Sequence, residues 1–285
     1  MALCLVTGHQ GYIGGALYSK LMSLGHDVVG IDYKRDDSWD ILNGLERIEQ
    51  YDFDYVFHLA CIPRVAYSVE QPVHTMMNNI LSTSIVLDFA KRKNVKRVIY
   101  SGSSSVVGNG DGPASPYALQ KLTSELETKL YSDLYGIDTV TLRYFNVYSA
   151  DQPADSPYAT AVANWMRFIR EDKNPFITGD GEQRRDMAHR DDVVAANIFA
   201  MEHEGKFGGQ HYDVGTGDNI SLNEMRDIVG THFPEVQFDY IEERKGDVQL
   251  TKADMSQLKA LGWEPKFSIK EGISGCFENL KRSLS

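Results

Sequence analysis

The chain has 285 residues, of which 42% are hydrophobic and 24% charged, so it can bury a large core, and it has no apolar run near the ~20 residues of a membrane span. Its formal net charge of −11 disfavours nucleic acids and anionic membranes as partners. Three widely spaced cysteines and eight scattered histidines argue against a disulfide framework and a metal site, and they favour a reducing cytoplasm.

The N-terminal segment alternates between strand and helix around a glycine-rich turn. Residues 2–7 predict a strand with no signal-peptide character, and the turn that follows contains Gly8, Gly11 and Gly14. A helical pattern to Leu24 and a second strand ending at Asp32 complete the unit. A strand, glycine turn, helix, strand and acid in this order are typical of a dinucleotide-binding site.

Each glycine has a physical role in such a site. Gly8 permits the tight turn, Gly11 lets the backbone approach a pyrophosphate at the helix N-terminus, and Gly14 allows close helix–strand packing. The carboxylate of Asp32 accepts from the adenosine ribose hydroxyls and favours NAD, because it repels a 2′-phosphate. Lys34 and Arg35 leave NADP open. The cofactor contacts predicted here are Gly8, Gln10, Gly11, Tyr12, Ile13, Gly14 and Asp32.

The alternation of strands and helices continues to about residue 150. Strands are predicted over 55–60, 95–100 and 138–144, with helical segments between them. This rhythm predicts an α/β fold with a Rossmann-like, doubly wound parallel sheet. Ligand chemistry in such sheets belongs at the carboxyl ends of the strands, where Ser103 and Asn146 fall.

A helix start at Ser115 carries the candidate acid–base group. Ser115 is a good N-cap and Pro116 suits the first helical position. Tyr117 and Lys121 are four residues apart, so their side chains share one helix face. A phenol ordinarily ionises near pH 10, but a nearby ammonium and the positive end of a helix both favour the phenolate. We therefore expect a tyrosine that exchanges protons at neutral pH.

The strand–helix rhythm changes after residue 150, which predicts a division into two domains. Residues 1–149 are expected to form the NAD-binding domain, with residues 186–204 packing back on it. Residues 150–285 are expected to form a smaller substrate-binding lobe.

These motifs resemble the extended short-chain dehydrogenases/reductases, in particular the nucleotide-sugar epimerase and dehydratase group. The resemblance extends over nearly the whole chain and keeps the family's order. Its motifs are Thr7-Gly8-x-x-Gly11-x-x-Gly14, Asp32, His58-Leu59-Ala60, Ser103, Tyr117-x-x-x-Lys121, Leu142-Arg143-Tyr144-Phe145-Asn146, Gly179-Asp180-Gly181, Arg185-Asp186, Asp191-Asp192-Val193 and Arg244-x-Gly246-Asp247.

The resemblance implies roles for individual residues. It makes Tyr117 the acid/base, Lys121 the residue that holds the nicotinamide ribose, and Ser103 the partner of the reacting sugar hydroxyl. Further cofactor contacts implied are Leu59, Ala60, Tyr144 and Asn78, with Asn79 as the alternative to Asn78. The residues implied to bind the nucleotide sugar are Ser103, Ser104, Asn146, Arg185, Arg244 and Asp247.

The reaction is narrowed by what the chain lacks. Similar 4,6-dehydratases carry an Asp-Glu pair just after the catalytic hydroxyl, where this chain has Ser104 and Ser105, which cannot act as carboxylic acid and base. The simplest remaining chemistry is NAD-dependent 4-epimerisation of a UDP-sugar through a transient 4-keto sugar. Thr251 occupies a position where a tyrosine limits sugar size in some family members, which suggests room for an N-acetylated sugar.

Two alternatives stay open from the sequence. One is a reductase or another epimerase acting on a GDP- or dTDP-linked sugar, and the other is a non-catalytic NAD-binding regulator. The separation of Ser103 and Tyr117, 14 positions, is shorter than is usual in the family and indicates a trimmed loop. The resemblance also implies a homodimer formed through helices at about 79–93 and 116–135.

Overall fold

The computed structural model describes residues 1–34, 39–154, 159–243 and 248–285. These residues form two compact units. The first contains Met1–Arg143 and Val193–Tyr212, and the second contains Tyr144–Asp192 and Asp213–Ser285. None of the helices in the described ranges combines the length and apolar character that crossing a membrane requires.

Short strands and longer helices alternate along most of the chain. The strands are β1 (Leu3–Thr7), β2 (Asp27–Ile31), β3 (Tyr55–His58), β4 (Arg97–Ser103), β5 (Asp138–Tyr144), β6 (Phe176–Thr178), β7 (Arg184–Arg185), β8 (His211–Val214), β9 (Ile220–Ser221) and β10 (Asp239–Ile241). The helices are α1 (Tyr12–Ser23), α2 (Val65–Glu70), α3 (Pro72–Met76), α4 (Ser82–Arg92), α5 (Pro116–Tyr135), α6 (Ala161–Arg170), α7 (Arg190–Glu202), α8 (Leu222–His232), α9 (Ser256–Ala260) and α10 (Ile269–Leu284).

A six-stranded sheet has the order β2-β1-β3-β4-β5-β8. Strand β1 pairs in parallel with both β2 and β3, and β3 pairs in parallel with β4. The chain leaves β1 toward one edge of the sheet and returns to build the other, so the strand order reverses between β1 and β3. Open α/β sheets bind ligands at such a switch point. The predicted doubly wound α/β fold is confirmed.

The core of the first unit follows from the apolar character of its central strands. Leu5 on β1, Val56 on β3 and Val98 on β4 are fully or almost fully buried and pack with Phe53 and Phe89. Each strand is buried along most of its length, as expected where helices cover both faces of a parallel sheet.

Helix α5 begins and ends where the sequence predicts. The Ser115 side chain accepts from the backbone N–H of Ala118, and Pro116 occupies the first turn. At the other end Gly136 has φ 71°, a left-handed conformation that glycine adopts without a Cβ penalty. These two signals fix where the helix begins and ends, so that Tyr117 lies in its first turn.

The second unit has its own core, in which Tyr148, Trp165 and Phe277 are buried together. The carboxylate of Asp186 ties its loops together, because it accepts from the backbone N–H groups of Thr216, Gly217 and Ala253 at 2.8, 2.9 and 3.0 Å. Burial raises the pKa of Asp186 against the opposing effect of these hydrogen bonds.

A buried ion pair attaches residues 200–208 within the first unit. Arg97 donates to the Asp138 carboxylate at 2.6 Å and also to the carbonyls of Ala200, His203 and Gly205. The second oxygen of Asp138 accepts from the backbone N–H groups of Phe207 and Gly208 at 2.8 and 3.0 Å.

We predict that Arg97→Ala lowers the free energy of unfolding by about 3–5 kcal/mol, because it leaves the Asp138 carboxylate and three carbonyls buried without their cation. Urea titration measures this loss. The matched control is Arg92→Ala, since Arg92 pairs with Glu49 and Asp88 while half exposed. It should cost no more than about 1 kcal/mol. Equal losses in the two variants would contradict the structural role of Arg97.

Candidate active site

The glycine turn after β1 leaves no room for a side chain at Gly8 or Gly14. Gly8 has φ 74°, and a Cβ placed there would lie 2.9 Å from the backbone nitrogen of Ala60. A Cβ on Gly14 would lie 2.1 Å from the carbonyl oxygen of Gly8, which shows how closely α1 approaches the turn. Gly11 is the N-cap of α1 and has no side chain to satisfy the first N–H groups of the helix. A helix start of this kind suits a phosphate anion.

Asp32 stands at the end of β2, beside the glycine turn. One carboxylate oxygen accepts from the backbone N–H of Gln10 and the other from that of Lys34, both at 3.0 Å. A carboxylate has about four acceptor positions, so capacity remains for ribose hydroxyls. Together with the turn, this geometry fits an adenine dinucleotide. Arg35, which the sequence offered for NADP, lies outside the described residues.

A hydroxyl joins the ends of β1 and β3. The Thr7 Oγ1 accepts from the backbone N–H groups of Leu59 and Ala60 at 3.1 and 3.2 Å. It lies 2.8 Å from His58 Nδ1, and the opposite ring nitrogen lies 3.1 Å from Thr83 Oγ1. These contacts fix the half-buried Leu59 and Ala60 next to Gly8.

His58 has a structural role in this network, because its ring bridges Thr7 and Thr83. Its burial, together with the nearby Lys121 charge, lowers the pKa of His58 to about 3. The ring is therefore neutral at physiological pH and cannot serve as a general acid. Because Thr83 Oγ1 donates to the carbonyl of Asn79, it accepts from His58 Nε2, and Thr7 donates to Nδ1.

The phenol of Tyr117 is brought to the carboxyl end of β4. Its backbone N–H donates to Ser68 Oγ at 3.0 Å, and Ser103, the last residue of β4, is near enough to the phenol to act on its pKa. Tyr117 is buried. The structure thus unites the tyrosine and the serine that the sequence singled out.

Burial raises the pKa of Tyr117 to about 12, although Lys121 and Ser103 act in the opposite direction. The spacing of Tyr117 and Lys121 predicts a lowered pKa, and this prediction is wrong. The lysine does act in the predicted direction, but the desolvation of the phenol is larger and depends on the tertiary structure. In the protein alone, Tyr117 therefore holds its proton at neutral pH.

Lys121 is fully enclosed between β4 and α5. Its ammonium donates to the carbonyl of Ser101 at 2.7 Å and lies 4.9 Å from the centre of the Tyr100 ring. Burial by itself would lower the pKa of Lys121, but the facing Cys61, Tyr100 and Tyr117 outweigh it and raise the pKa. The side chain stays charged, and its remaining N–H groups can serve a ribose.

The two asparagines offered by the sequence differ in their surroundings. Asn78 donates to the carbonyl of His74, one turn earlier in its own helical segment. Asn79 is buried: its Oδ1 accepts from the backbone N–H of Ile62 at 2.7 Å, and its Nδ2 donates to the Gln120 side chain at 2.8 Å. Asn79 therefore links the loop after β3 to the helix of Tyr117, from a π-helical turn at Met77–Leu81.

Two of the predicted substrate residues belong to the second unit. The Asn146 side chain donates to the backbone carbonyl of Asp186 at 3.1 Å, and Asp186 directly follows Arg185 on β7. Thr251 also lies here, since its Oγ1 accepts from the backbone N–H of Asp186 at 3.1 Å. Arg244 and Asp247 lie outside the described residues.

The remaining predicted positions lie at or just after the ends of strands. Ser104 is half-buried in a short 3₁₀ turn, Ser104–Val107, directly after β4, and the buried Tyr144 is the last residue of β5. Gln10 is exposed in the glycine turn, and Tyr12 and Ile13 are half-buried at the start of α1.

Several site residues escaped the sequence reasoning. Cys61 and Tyr100 act electrostatically on both Tyr117 and Lys121, and Gln120 supports Asn79 from the same helix face. Gln120 lies between Tyr117 and Lys121, so its helical spacing was an available signal. No local pattern marks Cys61, because its proximity arises from the alignment of β3 with β4.

Comparisons with known proteins agree with this geometry. Residues 4–215 match the model of the NAD dependent epimerase/dehydratase family. A UDP-glucose 4-epimerase of Mycolicibacterium smegmatis is 30% identical over 96% of this chain and 97% of its own length. The solved UDP-N-acetylglucosamine 4-epimerase of Methanobrevibacter ruminantium, in complex with UDP-N-acetylmuramic acid, superposes with TM-score 0.89 at 29% identity and covers 100% of this chain and 99% of its own. A Bacillus cereus UDP-glucuronic acid 4-epimerase, solved with UDP-glucuronic acid and NAD, superposes with TM-score 0.87 at 28% sequence identity, with 99% of each chain covered.

The chain belongs to the NAD dependent epimerase/dehydratase family. This confirms the family, the enzyme class and the cofactor that the motifs predicted. No cluster of histidine, cysteine, aspartate and glutamate in the described ranges has the arrangement of a metal site.

We predict that Gly14→Ala weakens NAD binding at least about tenfold, because its methyl group would collide with the Gly8 carbonyl and displace the turn from the pyrophosphate. Fluorescence titration with NADH measures the affinity, and circular dichroism checks that the fold is kept. Gly15→Ala is the control, since its Cβ would meet only the His9 carbonyl at 3.3 Å. Similar affinities in the two variants would refute the role of Gly14.

Proposed function

We propose that the protein is an NAD-dependent 4-epimerase of a UDP-sugar. The observation that carries this proposal is the meeting of Ser103, Tyr117 and Lys121 at the carboxyl end of β4, with serines rather than carboxylates at the next two positions. Similar proteins that are themselves named as UDP-sugar 4-epimerases support it.

In the proposed mechanism Tyr117 takes the proton of the sugar C4 hydroxyl. It later returns a proton to the C4 oxygen, once C4 has the opposite configuration. Ser103 orients that hydroxyl by hydrogen bonding, and the charged Lys121 holds the nicotinamide ribose and favours the phenolate. When bound, NAD supplies hydride transfer and, in its oxidised form, a positive charge. That charge acts against the effect of burial on the phenol.

The proposed cofactor contacts follow the geometry of the turn and the strand ends. The glycine turn and the start of α1 hold the pyrophosphate, and Asp32 accepts from the adenosine ribose. We propose the full set Gly8, Gln10, Gly11, Tyr12, Ile13, Gly14, Asp32, Leu59, Ala60, Asn78, Tyr117, Lys121 and Tyr144. Residues 1–149 constitute the proposed NAD-binding domain.

Residues 150–285 constitute the proposed nucleotide-sugar lobe. Arg185 and Asn146, which contacts the backbone of the residue after Arg185, are proposed to hold the diphosphate, because an amide and a guanidinium donate to phosphate oxygens. Arg244 and Asp247 are proposed for the same ligand from their motif, and Ser103 and Ser104 for the sugar. The short side chain of Thr251, beside Arg185, supports an N-acetylated sugar as one substrate.

The assay offers UDP-glucose, UDP-N-acetylglucosamine and UDP-glucuronate separately to the enzyme and follows them by NMR. The proposal expects at least one of them to equilibrate with its 4-epimer without net change in NADH absorbance. A reductase would instead consume reduced cofactor in proportion to product. A regulator would bind NAD and convert none of the three.

We predict that Tyr117→Phe lowers kcat by about 10²–10⁴-fold, because it removes the acid–base group, while the affinity for NAD changes little. Turnover is measured by the same NMR assay and affinity by NADH fluorescence. Tyr51→Phe, at an exposed tyrosine, serves as the control and should retain full activity. Turnover within tenfold of the parent in the Tyr117 variant would exclude the mechanism.

We further propose that the protein forms a homodimer. Four leucines of α5 (Leu119, Leu126, Leu130 and Leu134) are exposed on one face of the helix, and Val69, Val73 and Met76 are exposed on α2 and α3, which pack against it. The sequence predicts contacts through 79–93 and 116–135. The exposed leucines of α5 support the second segment. In the first segment Leu81 is exposed, while α4 buries Val86, Leu87 and Phe89 and exposes Asp88 and Arg92.

We predict that Leu130→Glu converts the dimer to a monomer, because a carboxylate cannot be buried in an apolar interface without a partner. Light scattering coupled to size-exclusion chromatography measures the mass. Leu284→Glu is the matched control, since Leu130 and Leu284 are both 50% exposed and only Leu130 lies on the proposed face. A monomeric parent protein, or a dimeric Leu130 variant, would contradict this interface.

A cytoplasmic location is also proposed. It is supported by the state of the cysteines, since Cys4, Cys61 and Cys276 are all free thiols.

A further inference from the structure

The first turn of α5 has backbone N–H groups that no carbonyl of the helix can accept. Pro116 has no N–H, and the N–H of Ala118 donates to Ser115 Oγ at 3.1 Å. The N–H of Leu119 already reaches a helix carbonyl, that of Ser115, at 3.0 Å. The N–H of Tyr117 is therefore the donor that the helix and its own cap leave over.

Ser68 on α2 accepts this donor from outside the helix. The N–H of Tyr117 donates to Ser68 Oγ at 3.0 Å, and the Ser68 hydroxyl in turn donates to the Val65 carbonyl at 2.6 Å. Both directions are fixed, because an N–H can only donate and a carbonyl can only accept. Ser68 is 0% exposed, so bulk water cannot take its place as the acceptor.

The same face of α5 is anchored again one turn further on. There the ammonium of Lys121 donates to the Ser101 carbonyl of β4 at 2.7 Å. The turn that carries the phenol and the ammonium is thus fixed on two sides, by α2 at the backbone of Tyr117 and by β4 at the side chain of Lys121. The placement of the phenol relative to the ammonium depends on both anchors.

We propose that Ser68 is a positioning residue, which caps α5 from a neighbouring helix and holds the backbone of Tyr117 where its phenol can reach the sugar C4 hydroxyl. This inference rests on the proposed function for its relevance to catalysis. Ser68 acts through the backbone of Tyr117. The effect on the rate is large because a misplacement of reacting groups by about 1 Å can cost about 10²-fold.

Amide hydrogen exchange measures the hydrogen bond directly, in NAD-bound protein and residue by residue by NMR. The Tyr117 amide can exchange only when its bond to Ser68 opens. We expect Ser68→Ala to accelerate exchange of this amide by about tenfold, the effect of losing one hydrogen bond.

The kinetic consequence is a split between kcat and KM. Ser68→Ala should lower kcat by about tenfold or more, with KM and the affinity for NAD within about twofold. The reason is that the phenol is displaced while the contacts that bind the ligands remain.

Thr139→Val is the matched control. Thr139 is also 0% exposed, and its Oγ1 donates to the carbonyl of Thr128 on α5 at 2.9 Å, 11 positions beyond Tyr117. This variant likewise removes a buried hydroxyl that holds α5. It should lower the melting temperature as Ser68→Ala does, but leave both kcat and the exchange of the Tyr117 amide unchanged.

Three results would overturn the proposal: a parent-like kcat in Ser68→Ala, a parent-like exchange rate of its Tyr117 amide, or an equal loss of kcat in Thr139→Val. If Ser68→Ala does not fold, Ser68→Cys decides, since sulfur is a weak acceptor and should also accelerate exchange and lower kcat. A parent protein that epimerises no UDP-sugar would refute the proposed function. The exchange measurement would still decide whether Ser68 holds Tyr117, because it requires no turnover.

Discussion

The buried ammonium of Lys121 is the constraint on which the candidate site depends. Removing a cation from water costs several kcal/mol, so the surroundings must supply compensating interactions. The Ser101 carbonyl accepts a hydrogen bond from the ammonium, and the face of Tyr100 lies within the range of a cation–π interaction. Because the lysine stays charged, it lowers the cost of ionising Tyr117 one helical turn away.

The same charge also acts on His58. Burial of the ring and, to a smaller extent, the nearby ammonium keep His58 uncharged, so this histidine works through its two hydrogen bonds with threonines. The loop after β3 is held by Asn79, whose Oδ1 accepts from the backbone N–H of Ile62 and whose Nδ2 donates to Oε1 of Gln120. Buried polar groups that are fully paired hold one geometry, and this geometry keeps the phenol, the hydroxyl and the ammonium close together.

Local signals were strong enough to predict most of the fold. The glycine turn, the cap at Ser115 and the regular alternation of strands with helices indicated a doubly wound sheet, and the structure has it. The meeting of Ser103 with Tyr117 was also predictable, because carboxyl ends of parallel strands share one edge. The pKa of Tyr117 could not be predicted from local sequence. It depends mainly on desolvation, and desolvation arises only when distant segments close around the ring.

The sequence by itself determined the family, the cofactor class and the triad of serine, tyrosine and lysine, because these depend on residue types at fixed spacings. Tertiary structure alone decided that Asn79 rather than Asn78 is buried, that Cys61 and Tyr100 face the lysine, and that α2 and α3 rather than α4 carry exposed apolar residues beside α5. These outcomes depend on strand register and on which helix face meets the sheet. Both result from packing between segments far apart in the chain, which no local pattern records.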